Sequence, residues 1–306
     1  MKATIFHVPA TCLATALSVL PAQAQEAGGA SDDASKVVVS AFRIRTAVDD
    51  ATQGVSVLSA DTIAALKPAS AVELLQQIPG IYMDQVGRPG GVSNVYLRGG
   101  DPNHVLVLID GVRSNDPTSS RGGGYDFSGL DPADIERVEV IRGAGSAQFG
   151  ADAMAGVINI VTKRGKREGF SGGIGVAAGG QSYRQLDANL SGGNELVQAS
   201  LNVSNLSDGE AADGAELDLR TVSASLAAQP IGGLRLNASA RALERDGRAF
   251  PDFSGGIRFA VLRGLEQRDA DESSFAAGVE YDATDWLTAR SNWRGLSATR
   301  SLLLPA

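Results

Sequence analysis

From residue 170 onward the chain alternates apolar and polar side chains with a period of two. Val197, Ala199, Leu201 and Val203 interleave with Gln198, Ser200, Asn202 and Ser204, and Val222, Ala224 and Leu226 with Ser223, Ser225 and Ala227. Leu234, Leu236, Ala238 and Ala240 alternate with Arg235, Asn237, Ser239 and Arg241, and the pattern returns at Phe275, Ala277, Val279 and Tyr281. A period of two belongs to strands whose two faces meet different surroundings. About seven such strands fit into 170–306. Two architectures accept them. A soluble sandwich buries the apolar face against a second sheet; an outer-membrane barrel turns it to lipid and keeps the polar face inside. The connections discriminate. Segments 192–195, 230–233 and 282–285 read as short turns, whereas 206–216 and 245–273 are long and acidic. Alternating short and long links suit a barrel with one end in the periplasm and the other outside. Aromatic residues make up only 5 %, and Trp286 and Trp293 are the clearest candidates for an interfacial girdle.

The N-terminus reads as an address. Lys2, an apolar stretch over 10–20 and the small-x-small pattern Ala22-Gln23-Ala24 mark a signal peptide over 1–24. The single cysteine, Cys12, lies inside it, so the exported chain has no material for disulfides, metal–thiolate sites or thiol catalysis. Residues 25–50 read as a flexible tail carrying a β-prone island at 36–41, Lys36-Val37-Val38-Val39-Ser40-Ala41. Residues 51–163 read as a compact mixed α/β unit. It has a strand at 55–58, a helix beginning at 61–63 with Ser59 or Asp61 as cap, and a second helix over 70–78 stopped by Pro79-Gly80. A buried strand at 105–109 runs into Asp110-Gly111, and strands at 138–141 and 157–161 flank a glycine-rich bend.

Several chemistries are excluded. A net charge of −8 argues against a nucleic-acid partner. No run of 18 apolar residues follows the signal, so no helical membrane span is expected. Gly143-Ala144-Gly145-Ser146-Ala147-Gln148 imitates a dinucleotide fingerprint, but Gln148 stands at the third glycine position. The phosphate-loop spacing over 145–150 ends in Ala151-Asp152 instead of Lys-Ser/Thr. His104 is the only histidine beyond the signal, too few for a histidine triad or metal site. Carboxylate pairs for glycoside hydrolysis are available, but no spacing favours them. No enzyme is expected.

Arg137-Val138-Glu139-Val140-Ile141-Arg142-Gly143 is followed by Ser146, Phe149-Gly150, Ala153 and Gly156-Val157-Ile158-Asn159-Ile160-Val161-Thr162-Lys163. This resembles the closing signature of the plug domain of TonB-dependent outer-membrane receptors. Leu74-Leu75-Gln76-Gln77-Ile78-Pro79-Gly80, Leu97-Arg98-Gly99 and the run 105–113 resemble the other plug motifs in order and spacing. The island at 36–41 resembles the TonB box, with Lys36 where an acidic residue is usual. Within the family, His104 with the run 105–113 is most similar to the cobalamin transporters. The resemblance implies an α+β plug domain followed by the first strands, about seven, of an antiparallel transmembrane β-barrel in the cell outer membrane. A closed barrel of this type has roughly 22 strands, so the chain reads as a fragment.

The same resemblance implies function and partners. A transporter of this kind imports a scarce large nutrient, here cobalamin or, as the alternative, a siderophore. Periplasmic TonB, with its inner-membrane energising complex, supplies the energy by strand addition to the box. The family's substrate-contacting plug positions fall on Val92, Asn94, Asp101, Ser119 and Ser120. Arg98 and Arg142 would meet carboxylates of late barrel strands at the plug–barrel wall. Asp208, Asp213, Glu216, Asp218 and Asp252 could supply oxygen ligands to calcium in the loops, or form a solvated acidic face. Gly99, Gly143, Gly150 and Gly156 are expected where backbones approach closely. Two other classes stay open: an exported soluble β-rich binding protein or enzyme, and a signalling receptor with a further domain ahead of the box.

Overall fold

The computed structural model describes residues 38–39, 46–47, 54–85, 90–118, 123–143, 145, 149–165, 168–209, 214–250, 264–284 and 287–304. The signal segment, Lys36, Val37, Ser40, Ala41, Ser119, Ser120, Asp213, Asp252 and Trp286 lie outside the described residues.

Ahead of the mixed unit, β1 (Val38–Val39) and β2 (Thr46–Ala47) pair antiparallel as a separate two-stranded sheet. The mixed unit consists of β3 (Gly54–Leu58), α1 (Ala60–Leu66), α2 (Ala71–Gln76), β4 (Ile81–Gln85), β5 (Ser93–Leu97), β6 (Val105–Ile109), β7 (Val112–Arg113), β8 (Ile135–Arg142) and β9 (Gly156–Thr162). Five strands form one sheet in the order β3–β8–β9–β6–β7, with β6 parallel to β9 and the other neighbours antiparallel. All five residues of β6 are buried, as its unbroken apolar run requires. Ser59 caps α1, its Oγ accepting from the Thr62 N–H at 3.3 Å. Ser70 caps α2 in the same way through Glu73, whose carboxylate accepts from the Ala69 N–H at 2.8 Å. The second helix is therefore shorter than 70–78: Ser70 is its cap, and the Gln77 N–H turns back to Leu74 at its end.

The signature residues are structural. Glu139 and Asn159 face each other across β8–β9, and Asn159 Nδ2 donates to the fully buried Glu139 carboxylate at 2.9 Å. Arg137 Nε completes its pairing at 2.9 Å. Of the four glycines expected at close approaches, Gly156 meets the expectation most severely. Its φ is +153°, and a Cβ there would lie 2.3 Å from the Ile141 carbonyl oxygen. Gly99 and Gly143 border open space instead. The β4–β5 hairpin was not legible in the sequence, because two five-residue strands are too short to show a period.

The remaining strands are β10 (Gly169–Ala178), β11 (Arg184–Gly193), β12 (Val197–Asp208), β13 (Glu216–Ile231), β14 (Leu234–Ala249), β15 (Glu266–Thr284) and β16 (Leu287–Leu303). They form one seven-stranded antiparallel sheet in sequence order, which does not close on itself. Links 194–196, 232–233 and 285–286 lie at one end, and the longer 179–183, 209–215 and 250–265 at the other. The outer face exposes an apolar band that includes Ile174, Leu190, Leu201, Val222, Phe275 and Trp293. Among the described residues no second sheet covers it, as a sandwich would require. The polar inner face packs on the mixed unit: Ser200, Asn202, Thr221 and Ser223 are buried.

Strands run further than the alternation suggests, so the last long link is 250–265 rather than 245–273. Above the apolar band the pattern inverts. Leu206, Leu217, Leu219 and Leu243 turn inward as a small core, while Asp218, Arg220, Glu244 and Asp246 point outward. A strand leaving lipid for water keeps its geometry but exchanges the polarity of its faces, which in sequence looks like a loop.

Candidate functional site

The seam between the mixed unit and the sheet is polar and specific. Ser200 Oγ and Asn202 Nδ2 donate to the Lys163 carbonyl at 2.9 and 3.3 Å, and Gln185 Nε2 donates to Asp131 at 3.2 Å. Ser223 donates its hydroxyl to Asp134, which also lies 3.5 Å from Arg241 Nε. Arg241 Nη2 reaches the Gly129 carbonyl at 3.3 Å. Arg245 pairs with Asp126 at 2.8 Å, and Arg300 with Asp116 at 3.1 Å. In this quadrant the acids belong to the mixed unit and the arginines to the sheet. Such pairs set orientation more than they add net stability, because burying both charges costs nearly what their attraction returns.

Burial and partners tune these acids in opposite directions. Burial pushes Asp126 up, but Arg245 and the hydrogen bonds from Ser128 and Ser93 outweigh it and hold the carboxyl below its usual range. Burial dominates at Asp134 and raises it, against the opposing pull of Arg241 and Ser223. Sequence reasoning missed these pairs. The available signal was arginine on otherwise uncharged polar faces, but partners 119 residues apart, as in Asp126–Arg245, cannot be matched without the fold.

The β4–β5 hairpin reaches toward the end of the sheet that carries the long links. A Cβ on Gly90 would lie 2.4 Å from the Glu216 carbonyl oxygen, at the start of β13. Val92 and Asn94 are buried behind this point. Asn94 Nδ2 has no hydrogen-bond partner among the described residues. Gly124 stands beside Asn94 and Pro102: a Cβ there would be 3.0 Å from Pro102 Cβ and 3.6 Å from Asn94 Oδ1. The exposed Asp101 immediately precedes Pro102. The Asp116 N–H donates to the Gly124 carbonyl at 3.0 Å. The structure thus gathers Asn94, the 101–104 turn and the Asp116–Gly124 contact.

The two plug arginines lie elsewhere. Arg142 donates to Ser56 Oγ at 2.7 Å and to the Pro79 carbonyl at 2.8 Å. Arg98 and Arg142 both border Gly80. Desolvation, with the neighbouring Arg98 charge, lowers the Arg142 pKa. Among the described residues neither arginine has a carboxylate partner. Of the acids considered for calcium, the three that are described, Asp208, Glu216 and Asp218, do not converge. Asp208 ends β12 directly opposite Leu217, on the inner face, where both line a cleft against α2. Glu216 and Asp218 point outward, and Glu216 pairs with Arg248 at 2.8 Å. Among the described residues no cluster of three or more His, Cys, Asp or Glu is placed to hold a metal ion. Of the box, β1 alone is described, its Val38 opposite Ala47 and Val39 opposite Thr46.

Residues 47–157 match the family model of the TonB-dependent Receptor Plug Domain. Over 191 residues the chain is 35 % identical to the vitamin B12 transporter BtuB of Vibrio vulnificus, covering 62 % of this chain and 29 % of that protein. It is 36 % identical over 187 residues to the vitamin B12 transporter BtuB of Photobacterium profundum, covering 60 % and 29 %. The chain spans under a third of the length of these curated relatives. Among solved structures, the alcaligin outer-membrane receptor FauA of Bordetella pertussis superposes with a TM-score of 0.67 at 17 % identity, over 86 % of this chain and 42 % of that one. The siderophore receptor PiuA of Acinetobacter baumannii gives 0.66 at 22 % identity, over 84 % and 38 %. At these identities the likeness is one of fold.

Proposed function

Because the chain carries the plug and the first barrel strands of the TonB-dependent receptor family, we propose that its protein imports cobalamin across the outer membrane with energy supplied through TonB. The family is one of transporters and receptors rather than enzymes, and its place is the outer membrane. The observation that carries the substrate is the identity with two vitamin B12 transporters across the plug and early strands.

The geometry supports the parts of this reading. The apolar outer band suits lipid contact, and the polar inner face holds the plug against the inside of the sheet, where it would obstruct the pore of a closed barrel. On this reading Asn94, with Val92 and Asp101, contributes to the ligand floor, and Ser119 and Ser120, outside the described residues, belong to it by the family resemblance alone. An amide-rich corrinoid would satisfy the unpartnered Asn94 amide. Val37, Val38 and Val39 offer backbone groups for strand addition by TonB. Arg98 and Arg142 await carboxylates from further barrel strands.

Titration calorimetry on the full-length protein, with cobalamin and with a ferric siderophore, each with and without calcium, tests the assignment. Cobalamin binding coupled to TonB-dependent uptake is expected. Siderophore binding without cobalamin binding overturns the substrate and leaves a receptor of the other kind.

A further inference from the structure

Arg245, buried on the inner face of β14, divides its guanidinium between two separate pieces of the plug. Nη1 donates to Asp126 Oδ2 at 2.8 Å, and Nη2 donates to the Gly90 carbonyl at 2.9 Å. Asp126 uses its other oxygen within the plug. Oδ1 accepts from the N–H and hydroxyl of Ser93 at 3.1 and 2.9 Å, and from the N–H and hydroxyl of Ser128 at 3.1 and 2.7 Å. Ser93 opens β5 and stands between Val92 and Asn94. Gly90 has φ +77°, and a Cβ there would come within 3.0 Å of the Arg248 nitrogen as well as 2.4 Å of the Glu216 oxygen. The hairpin therefore touches the wall at a point where no side chain fits. One barrel residue thus secures both ends of segment 90–93, Gly90 directly and Ser93 through Asp126. Arg241, on the same face of the same strand, reaches Gly129 and Asp134 instead.

We propose that Arg245 and Asp126 form a clamp that ties the ligand floor to the barrel wall and sets how readily that floor moves. The proposal rests on reading the surface around Val92 and Asn94 as the floor. Both residues are positioning residues, acting through Gly90 and Ser93. A ligand that displaces Val92 or Asn94 must strain bonds to charged groups, which are roughly twice as strong as neutral ones. Motion at the floor is thereby coupled to the wall at one place, and opening the clamp frees the hairpin without disturbing the Arg241–Asp134 contact below it.

Hydrogen exchange on the ligand-free, full-length protein tests this, read on peptides covering 90–97 and 123–130. Arg245→Met keeps most of the stem volume and removes both bonds, and exchange of 90–97 is expected to rise about tenfold or more. Asp126→Asn is expected to raise it too, and the double variant no further than the larger single effect. Arg245→Lys, with one compact donor group, is expected to fall between wild type and Arg245→Met. Cobalamin dissociation should accelerate in the same order. Unchanged exchange at 90–97 in a folded Arg245→Met, or strictly additive effects of the two changes, overturns the clamp. Should that variant not fold, Ser93→Ala removes one Asp126 bond and is expected to raise exchange at 90–97 alone; no rise there overturns it equally. A wild-type protein that binds no cobalamin overturns the substrate assignment, while the exchange comparison still decides the clamp.

Discussion

Leu201 and Asn202 are neighbours in sequence and face opposite surroundings: Leu201 is 47 % exposed on the outer face of β12, whereas Asn202 is 6 % exposed against the plug. Asn202 donates to the Lys163 carbonyl and to Ser223 from there. Arginine at Leu201 is expected to cost about 2–4 kcal/mol if it lies near the bilayer midplane. Arginine at Asn237, on the inner face but clear of the plug, should cost much less. Asn202 is not the right control, since its pocket is filled. Folding of the full-length variants in vesicles, titrated with urea, checks the contrast, and equal costs at Leu201 and Asn237 would remove the lipid assignment.

Val38 lies in β1 and pairs with Ala47. Val38→Pro removes a backbone donor and fixes φ, so addition of a TonB strand should fail. Ligand binding is expected to persist while uptake stops, measured with radiolabelled cobalamin on intact cells. Undiminished uptake would take 36–41 out of the mechanism.

Asp126 and Asp134 should shape acid stability with opposite signs. The folded Asp126 value is lowered, so its stabilisation is present above the unfolded value of about 3.9 and is lost as pH falls through the folded value. Asp126→Asn is therefore expected to cost about 1.5–3 kcal/mol near neutral pH, with the gap closing in strong acid. The folded Asp134 value is raised, so its penalty is complete above that value and fades as pH drops toward the unfolded one. Asp134→Asn should flatten this second dependence. Thermal unfolding of the full-length protein between about pH 3 and pH 7 separates the two.

At the ligand floor proposed above, Asn94→Ala and Asp101→Ala should each weaken cobalamin binding, by about 1–3 kcal/mol where a buried ligand amide loses its partner. Gln76→Ala, on the exposed side of α2, should leave it unchanged. Calorimetry on the three variants checks this, and equal losses in all of them would point to general destabilisation rather than a ligand contact.

The sequence alone determined what depends on near neighbours. Alternation over 170–306, the apolar run of β6, the Ser59 and Ser70 caps and the Asp110-Gly111 turn are local patterns, each readable within a few residues. The order of motifs around Arg137 and Asn159, which carries the resemblance to the plug, is likewise a linear pattern legible along the chain. Tertiary structure decided what depends on register and on distance along the chain. Within one strand the facing of a side chain follows from odd and even positions, but the count restarts across each link. Asp208 and Asp218 therefore landed on opposite faces once β12 and β13 paired Asp208 with Leu217. The inward turn of Leu206, Leu217, Leu219 and Leu243 likewise required knowing where lipid ends. Arg245 could meet Gly90 and Asp126 only after the barrel wall had curved around the plug, because long-range pairing of charges is set by packing and leaves no period in the sequence.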